Sequence, residues 1–316
     1  MLCNEDSAYY QLIRNTVSHV DHETLKSVGI NVGYNSWTCG AGELRRQQSR
    51  LGVQIPWTVM IQEKNAGGPA LDIGRIDELI TQGKALGIYT YLFHCREAGF
   101  IGQTERLASS HPDCGFVFFL PSGAVSEATA RMMQFFRNAV FVIPADAFCM
   151  QSAKLLREHR CFFGVYAVYQ DDTIHNILLS RGNGCFLNAF CTFAFLLAAP
   201  ECGENSKKEA WSFVDHHRTQ QRDPVFWVDS SDLSAVGKMI GGGANILSLD
   251  TAGGWNVFGE EEKAGTYDVT GESLEDIMKR AMPPAKTDAA GEEAARVPPA
   301  ENFSSRYHPL KRKENL

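Results

Sequence analysis

Short apolar runs that alternate with helical stretches are the feature that most constrains the fold of this 316-residue chain. Six such runs predict strands: VQIPWTVMIQ (53–62), IYTYLFH (88–94), GFVFFL (115–120), VFVIPA (140–145), CFFGVYAVY (161–169) and FLNAFCTFAFLL (186–197). Single helices are predicted between them, and one of these, at residues 74–86, ends at Gly87. Near-continuous apolar strands separated by single helices predict an α/β fold with a parallel sheet covered on both faces. Six strand–helix units fit an open (β/α)6 barrel as well as a doubly wound sheet.

The segments before and after this alternation have a different composition. Residues 1–52 have a helical pattern and predict a helical N-terminal segment that precedes a sheet-forming domain at 53–222. Two further strands, at 224–229 and 245–250, predict a C-terminal extension at 223–280. Residues 281–316 are rich in Ala, Pro and Glu, so we expect a mobile tail that cannot bury enough apolar surface to fold.

Composition excludes several classes of protein. The net charge is −7 and the pI about 5.7, which gives no electrostatic footprint for nucleic acid. No run reaches the roughly 18 apolar residues of a membrane span, and the N-terminus lacks the pattern of a signal peptide. Nine cysteines without such a signal predict free thiols in a reducing compartment, so the expected location is cytoplasmic.

Several segments of the chain resemble radical S-adenosylmethionine (SAM) enzymes, and they occur in the order found in that family. The segment IDELITQGKALGIYTYLFHCREAGF (76–100) is similar to the family's second strand unit. The other matching segments are RLGVQIPWTVMIQ, HPDCGFVFF, FFGVYAVYQ, NGCFLNAFCTFAF, RDPVFWVD and ANILSLDTAGG, which together span roughly residues 40–280. The subgroup with a cysteine-bearing, SPASM-like C-terminal extension fits best. The resemblance implies a partial (β/α)6 TIM-like barrel with a helical N-terminal segment and a short C-terminal β-hairpin extension.

The same resemblance implies SAM and a [4Fe–4S] cluster as cofactors, but the residues that bind them in the family do not match. The family holds its cluster with C-x-x-x-C-x-x-C, because thiolates are the ligands of such clusters. In the matching position, residues 63–69 read EKNAGGP, and no cysteine lies between Cys39 and Cys95. Met239 and Phe258 stand where the extension would offer cysteines to a second cluster. We therefore expect a degenerate member with no cluster, no bound SAM and no other metal site.

Polar residues at the predicted strand ends outline a candidate site. The family's GGEP loop, whose glycines allow close approach to SAM, corresponds to Cys95, Arg96, Glu97 and Ala98. We expect a remnant pocket, without catalytic residues, that is lined by His94, Cys95, Arg96, Glu97, Ser122, Asp146 and Tyr166. Arg96 could bind an anion there, or Arg96 and Glu97 could pair and fill a vacated cavity.

Other polar motifs have simpler interpretations. Asp215, His216 and His217 predict a solvated helix face, because neighbouring residues on a helix point in different directions. The glycines at 241–243 precede a predicted strand and do not open a helix, so they predict a hairpin turn and not a phosphate-binding loop.

These observations lead to one favoured function and three alternatives. The favoured interpretation is a pseudoenzyme, a radical-SAM-like binding or accessory scaffold with a protein partner such as an active homologue. The first alternative is a radical SAM enzyme with atypical cluster and SAM binding. The second is a non-radical enzyme that uses Arg96 and Glu97, and the third is a truncated gene product without activity.

Overall fold

Ten β-strands form one sheet in the computed structural model, which describes residues 5–64, 71–182, 184–241, 243–260 and 262–285. The strands are β1 Thr58–Gln62, β2 Thr90–His94, β3 Gly115–Phe119, β4 Ala139–Pro144, β5 Phe163–Tyr169, β6 Phe193–Ala198, β7 Phe226–Asp229, β8 Ile246–Asp250, β9 Gly254–Phe258 and β10 Lys263–Thr266. The predicted mobile tail lies almost wholly outside the described residues.

Helices lie between most of the strands and also precede the first one. They are α1 Tyr9–His19, α2 His22–Val28, a π-helix at Gly29–Gly40, α3 Ala41–Leu51, α4 Ile73–Ala85, α5 Ala98–Ser110, α6 Glu127–Met133, α7 Cys149–Glu158, α8 Ile174–Ser180, α9 Cys185–Asn188, α10 Glu204–Gln220, α11 Ser231–Ile240 and α12 Leu274–Ala281. Within the described part of the chain, no helix is long and apolar enough to cross a membrane. The domain boundaries after residues 52, 222 and 280 stay predictions.

The strand order is β10-β9-β8-β1-β2-β3-β4-β5-β6-β7, and β8 and β1–β7 all run parallel. The predicted α/β class with a mostly parallel sheet and a C-terminal antiparallel hairpin is confirmed. A partial TIM-like barrel is not confirmed, because no ladder joins β7 to β8 among the described residues and the sheet stays open. The sheet also has eight parallel strands where six strand–helix units were expected.

The two strands predicted at residues 224–229 and 245–250 do not pair with each other. The first of these strands, β7, extends the parallel sheet beside β6, whereas β8 pairs with β1 on one side and with β9 on the other. The reason is α11, which separates the two strands, because a helical crossover brings the chain into the sheet in a parallel sense. The hairpin that does form is β8–β9, and β10 adds a third antiparallel-paired strand to it.

Helix α11 is fixed to the segment that precedes β1. The indole Nε1 of Trp57 donates to the Leu233 carbonyl at 2.8 Å, and Arg45 Nη1 donates to the Ile240 carbonyl at 2.7 Å. Gln48 Nε2 donates to the carbonyl of Gly241 at 2.7 Å. The bonds to Ile240 and Gly241 satisfy carbonyls at the C-terminal end of α11 that have no partner within the helix, and the bond to Leu233 holds its first turn.

Side chains alternate between the two faces of the sheet, as strand geometry requires. On β2, Tyr91 and Phe93 belong to the larger apolar core on the face that carries α4 and α5. Leu92 faces the other way and packs in a second core, which Val20 and Val28 of the N-terminal segment share. The N-terminal helices therefore cover part of the face opposite the main helical layer.

A contact between two glycines joins the N-terminal segment to the start of β2. A Cβ on Gly40 would overlap the carbonyl oxygen of Gly87 and would lie 2.8 Å from the carbonyl oxygen of Asn35. Gly87 itself has φ +92°, a conformation that favours glycine. The chain can approach this closely only because neither residue has a side chain.

We predict that Gly40→Ala lowers the free energy of unfolding by about 2 kcal/mol, because the added methyl group overpacks this contact. Gly42→Ala is the matched control, since it lies in α3 and a Cβ there would meet nothing within 4 Å. The control should raise the free energy of unfolding by about 0.5–1 kcal/mol through helix propensity alone. Urea denaturation of both variants measures the difference, and equal effects would contradict the contact.

Candidate functional site

The carboxylate of Glu63 organises the C-terminal ends of β1 and β2. Its Oε2 accepts hydrogen bonds from the backbone N–H groups of Arg96 at 2.6 Å and Glu97 at 3.1 Å, immediately before α5 begins. The Glu63 N–H donates in turn to the His94 carbonyl at 3.0 Å. A carboxylate is stabilised at this position by charge-assisted bonds and by the positive end of the helix dipole.

Strand alternation separates the four consecutive residues predicted to line the pocket. Cys95 lies on the same face as Phe93 and is only 1% exposed, so it points into the main core and away from His94. Its burial raises the pKa of the thiol well above the ordinary value. His94, Arg96 and Glu97 are exposed at the edge of the sheet.

The expected pair between Arg96 and Glu97 does not form. Within the described ranges, neither side chain has a hydrogen bond or an ion pair, and only their backbone N–H groups are bound, by Glu63. The Arg96 guanidinium nevertheless affects His94. Desolvation is the larger cause that lowers the pKa of His94, and the Arg96 charge lowers it further, while the Glu63 carboxylate opposes both.

Tyr166 joins the ends of β3 and β5. Its hydroxyl donates to the Leu120 carbonyl at 3.1 Å, and its ring meets Phe119 edge to face with centroids 5.7 Å apart. Burial, with a smaller contribution from the nearby Asp146 carboxylate, raises the pKa of Tyr166 to about 12. The hydroxyl is therefore a neutral hydrogen-bond donor at physiological pH.

Asp146 and Ser122 follow β4 and β3. Asp146 Oδ1 accepts from the Phe148 N–H at 2.8 Å, whereas its Oδ2 is buried without a hydrogen-bond partner among the described residues. Ser122 is exposed in the turn after β3. Parallel strands place all the predicted site residues except Cys95 at the same edge of the sheet, but in the described part of the chain no hydrogen bond or ion pair links Ser122 to the others.

A salt bridge between the ends of β1 and β8 adds two charged residues to this edge of the sheet, which we call the charged edge. Lys64 Nζ lies 2.8 Å from Asp250 Oδ2, and the Asp250 side chain is only 7% exposed. Sequence reasoning assigned neither Glu63 nor these two residues to the site. Their positions in the sequence could have indicated the site, because Glu63, Lys64 and Asp250 stand at or just beyond the ends of predicted strands.

An apolar surface adjoins this charged edge on the side where the sheet carries Leu92. Val168 is 53% exposed, and the partly buried Phe195 and Leu197 pack beside the second core. Phe119 contacts both Tyr166 and Phe195 with ring centroids 5.7 Å apart. We call the charged edge and this surface together the mouth of the sheet.

Two of the other motifs differ from their sequence interpretation. His217 does not lie on a solvated helix face, because its Nδ1 is 2.7 Å from Asp223 Oδ2 and its ring packs on Phe213 at 4.1 Å. Gly241 ends α11 with φ +81° and does not form a hairpin turn, while residue 242 lies outside the described ranges. In the described part of the chain, no three His, Cys, Asp or Glu side chains are grouped so that they could hold a metal ion.

Comparison with solved structures identifies the fold. Streptococcus suis SuiB bound to S-adenosylmethionine superposes with a TM-score of 0.53 at 10% identity, over 74% of this chain and 66% of SuiB. SuiB bound to the precursor peptide SuiA gives 0.54 at 9% identity, over 74% and 67%. The chain has the radical SAM fold. It spans about two thirds of the length of SuiB.

The remaining comparisons add no closer relationship. No model of a protein family matches this chain, and no curated protein matches it in sequence. The anSMEcpe structure with bound AdoMet and Cp18Cys peptide reaches a TM-score of only 0.47 at 8% identity, over 70% of this chain and 80% of anSMEcpe. The predicted resemblance to radical SAM enzymes is thus confirmed at the level of the fold.

We predict that Arg96→Gln raises the pKa of His94 toward its ordinary value, because it removes a cation that disfavours the imidazolium. Glu63→Gln should lower the pKa of His94 further, because it removes the compensating carboxylate. Arg106→Gln is the matched control, since Arg106 is exposed on α5 without an ion pair among the described residues. NMR titration of the His94 ring measures the three shifts, and a shift of the same size in the control would contradict this electrostatic arrangement.

Proposed function

We propose that this chain is a binding scaffold with the radical SAM fold and without radical SAM chemistry. This proposal rests on the types of side chain that stand at the strand ends. Glu63, Lys64, His94, Arg96 and Asp250 stand at or just beyond the ends of β1, β2 and β8, whereas Cys95 points into the opposite core. Carboxylates and cations suit polar recognition, but an iron–sulfur cluster takes thiolates.

The donor set of the mouth does not fit a [4Fe–4S] cluster. Three thiolates would have to converge after β1, yet residues 63–70 contain no cysteine in the sequence, although 65–70 lie outside the described residues. Cys95 and Cys114 are buried, and burial raises the pKa of both thiols far above the ordinary value. Neutral buried thiols are poor ligands for iron, so these two cysteines do not suit a cluster.

The loop after β2 is also poorly suited to SAM. Backbone N–H groups in such a loop could bind a ligand, but Glu63 already accepts from the amides of Arg96 and Glu97. A ligand would have to displace this carboxylate, and the exposed side chain of Arg96 stands where the family has a glycine that would allow close approach. Both features support the proposal that the mouth does not bind SAM.

We propose that the mouth binds a peptide segment of a partner protein, such as an active homologue or its substrate. An exposed apolar surface at Val168 beside a charged edge matches a segment that has both apolar and charged side chains. One SuiB structure holds a precursor peptide, and this supports a peptide as the class of ligand.

A non-radical enzyme is the second candidate, because the side chains of Arg96 and Glu97 are free of ion pairs in the described part of the chain. Glu97 would then act as acid or base and Arg96 as the electrophilic group. The exposure of Glu97 weakens this candidate, since active sites usually exclude water around such a group.

The scaffold proposal predicts that anaerobic reconstitution with iron and sulfide leaves the full chain colourless after desalting. The physical reason is the lack of convergent thiolates at the mouth. Iron and sulfide analysis and visible absorbance are the measurements, with Cys95→Ser as a control for adventitious binding. Stoichiometric iron and sulfide that disappear in Cys95→Ser would overturn the proposal.

A second prediction is that titration with SAM gives no binding heat under physiological conditions. Loss of chelation by iron alone should weaken SAM binding by several kcal/mol, roughly a thousandfold or more. Isothermal titration calorimetry of the wild-type chain and of Glu97→Ala is the measurement. Low-micromolar binding that Glu97→Ala abolishes would favour the alternative of a radical SAM enzyme with atypical SAM binding.

A further inference from the structure

A cavity of about 410 Å³ lies on the helical layer, apart from the mouth. It lies against α7, is bordered by the last residue of α1 and by the segment that follows α9, and is open to solvent on its outer side. Its apolar lining consists of Met150, Ala153, Ala189 and Phe190, together with the alkyl parts of Lys154 and Arg157. The volume falls within the range of small-molecule sites, about 300–1,000 Å³.

The polar group of this cavity is the guanidinium of Arg157. Its Nη2 donates to His19 Nε2 at 2.7 Å, and its carbon lies 4.7 Å from the centre of the Phe190 ring. Among the described residues Arg157 has no carboxylate partner, so most of its donors are available to a ligand. The two contacts hold the guanidinium in a fixed orientation, which reduces the conformational entropy that binding would cost.

The neutral form of His19 supports this arrangement. Burial, followed by the charges of Arg157 and Arg160, lowers the pKa of His19. A neutral imidazole can accept the bond from Arg157 and leaves the positive charge of the guanidinium uncompensated. Lys154 adds a second cation to the lining, although its Nζ lies 3.8 Å from a Glu158 carboxylate oxygen.

Phe190 follows the end of α9 and places its ring at the cavity. Its φ of +54° lies in the left-handed region, which is common for the residue that ends a helix, although unusual for an aromatic side chain. The residue is 46% exposed, and its ring lies under the guanidinium of Arg157. The ring is therefore accessible to a ligand that Arg157 binds.

We propose that this cavity binds a small monocarboxylate with an aryl or alkyl body. The carboxylate would receive paired hydrogen bonds from Arg157, and the body would lie against Met150, Ala153 and Phe190. A compact dianion such as phosphate fits less well, because the lining is mostly apolar and the Glu158 carboxylate is close. This proposal is independent of the one made for the mouth.

The test is isothermal titration of the full chain with phenylacetate and with octanoate, each compared with inorganic phosphate and the neutral 2-phenylethanol. We expect saturable binding of at least one carboxylate, with 2-phenylethanol and phosphate at least tenfold weaker. Arg157→Gln should weaken carboxylate binding by about tenfold or more, which corresponds to about 1.4 kcal/mol. Arg106→Gln, the exposed arginine on α5, is the matched control and should bind like the wild type.

The variant Phe190→Gly separates a loss of carboxylate binding from a loss of folding. Glycine adopts the left-handed conformation readily, so this variant should unfold at a temperature similar to that of the wild type and still lose most of its carboxylate binding. The proposal fails if neither carboxylate binds with a dissociation constant below about 1 mM. It also fails if Arg157→Gln binds normally, or if phosphate or 2-phenylethanol binds as tightly as the carboxylates.

Discussion

Two hydrogen bonds from backbone amides to the Glu63 carboxylate fix the edge of the sheet that holds the candidate site. They connect the end of β1 with the start of α5, so they determine where Arg96 and Glu97 stand. Because the Glu63 carboxylate accepts from both amides, the N–H groups of Arg96 and Glu97 are already bound within the chain. The exposed side chains of Arg96 and Glu97, and not these two backbone amides, are therefore the accessible polar groups of this loop.

Much of the fold follows from the sequence, because burial of a parallel sheet on both faces requires continuous apolar strands. The strands β1, β2, β3 and β5 fall within the predicted runs, β4 begins one residue before its run, and Gly87 follows α4 closely as expected. The region around α11 could not be predicted in the same way. Gly237 interrupts its helical pattern, and the reason for a glycine there is the return of the chain after α11, since a Cβ would overlap the Gly243 carbonyl.

The candidate site was predictable in position and not in detail. Parallel strands must place their ends together, so the edge that holds His94 and Arg96 could be inferred from the sequence. The direction of Cys95 could also have been inferred, because Tyr91, Phe93 and Cys95 alternate with outward residues along one strand. The role of Glu63 could not, because it is 33 residues from Arg96 in the chain and their bond depends on the tertiary fold.

The residues that stabilise this fold lie apart from those of the candidate site. In the main core, the ring of Phe93 stacks on that of Phe118 across neighbouring strands with 5.0 Å between centroids, and Phe116 lies 6.1 Å from Phe93 and 6.3 Å from Phe118. Burial of such rings supplies much of the free energy that holds a sheet together. The exposed residues at the strand ends, such as Arg96 and Glu97, contribute little to that core, so their type can vary while the sheet persists. A scaffold of this kind can therefore keep its fold whichever ligand its strand ends bind.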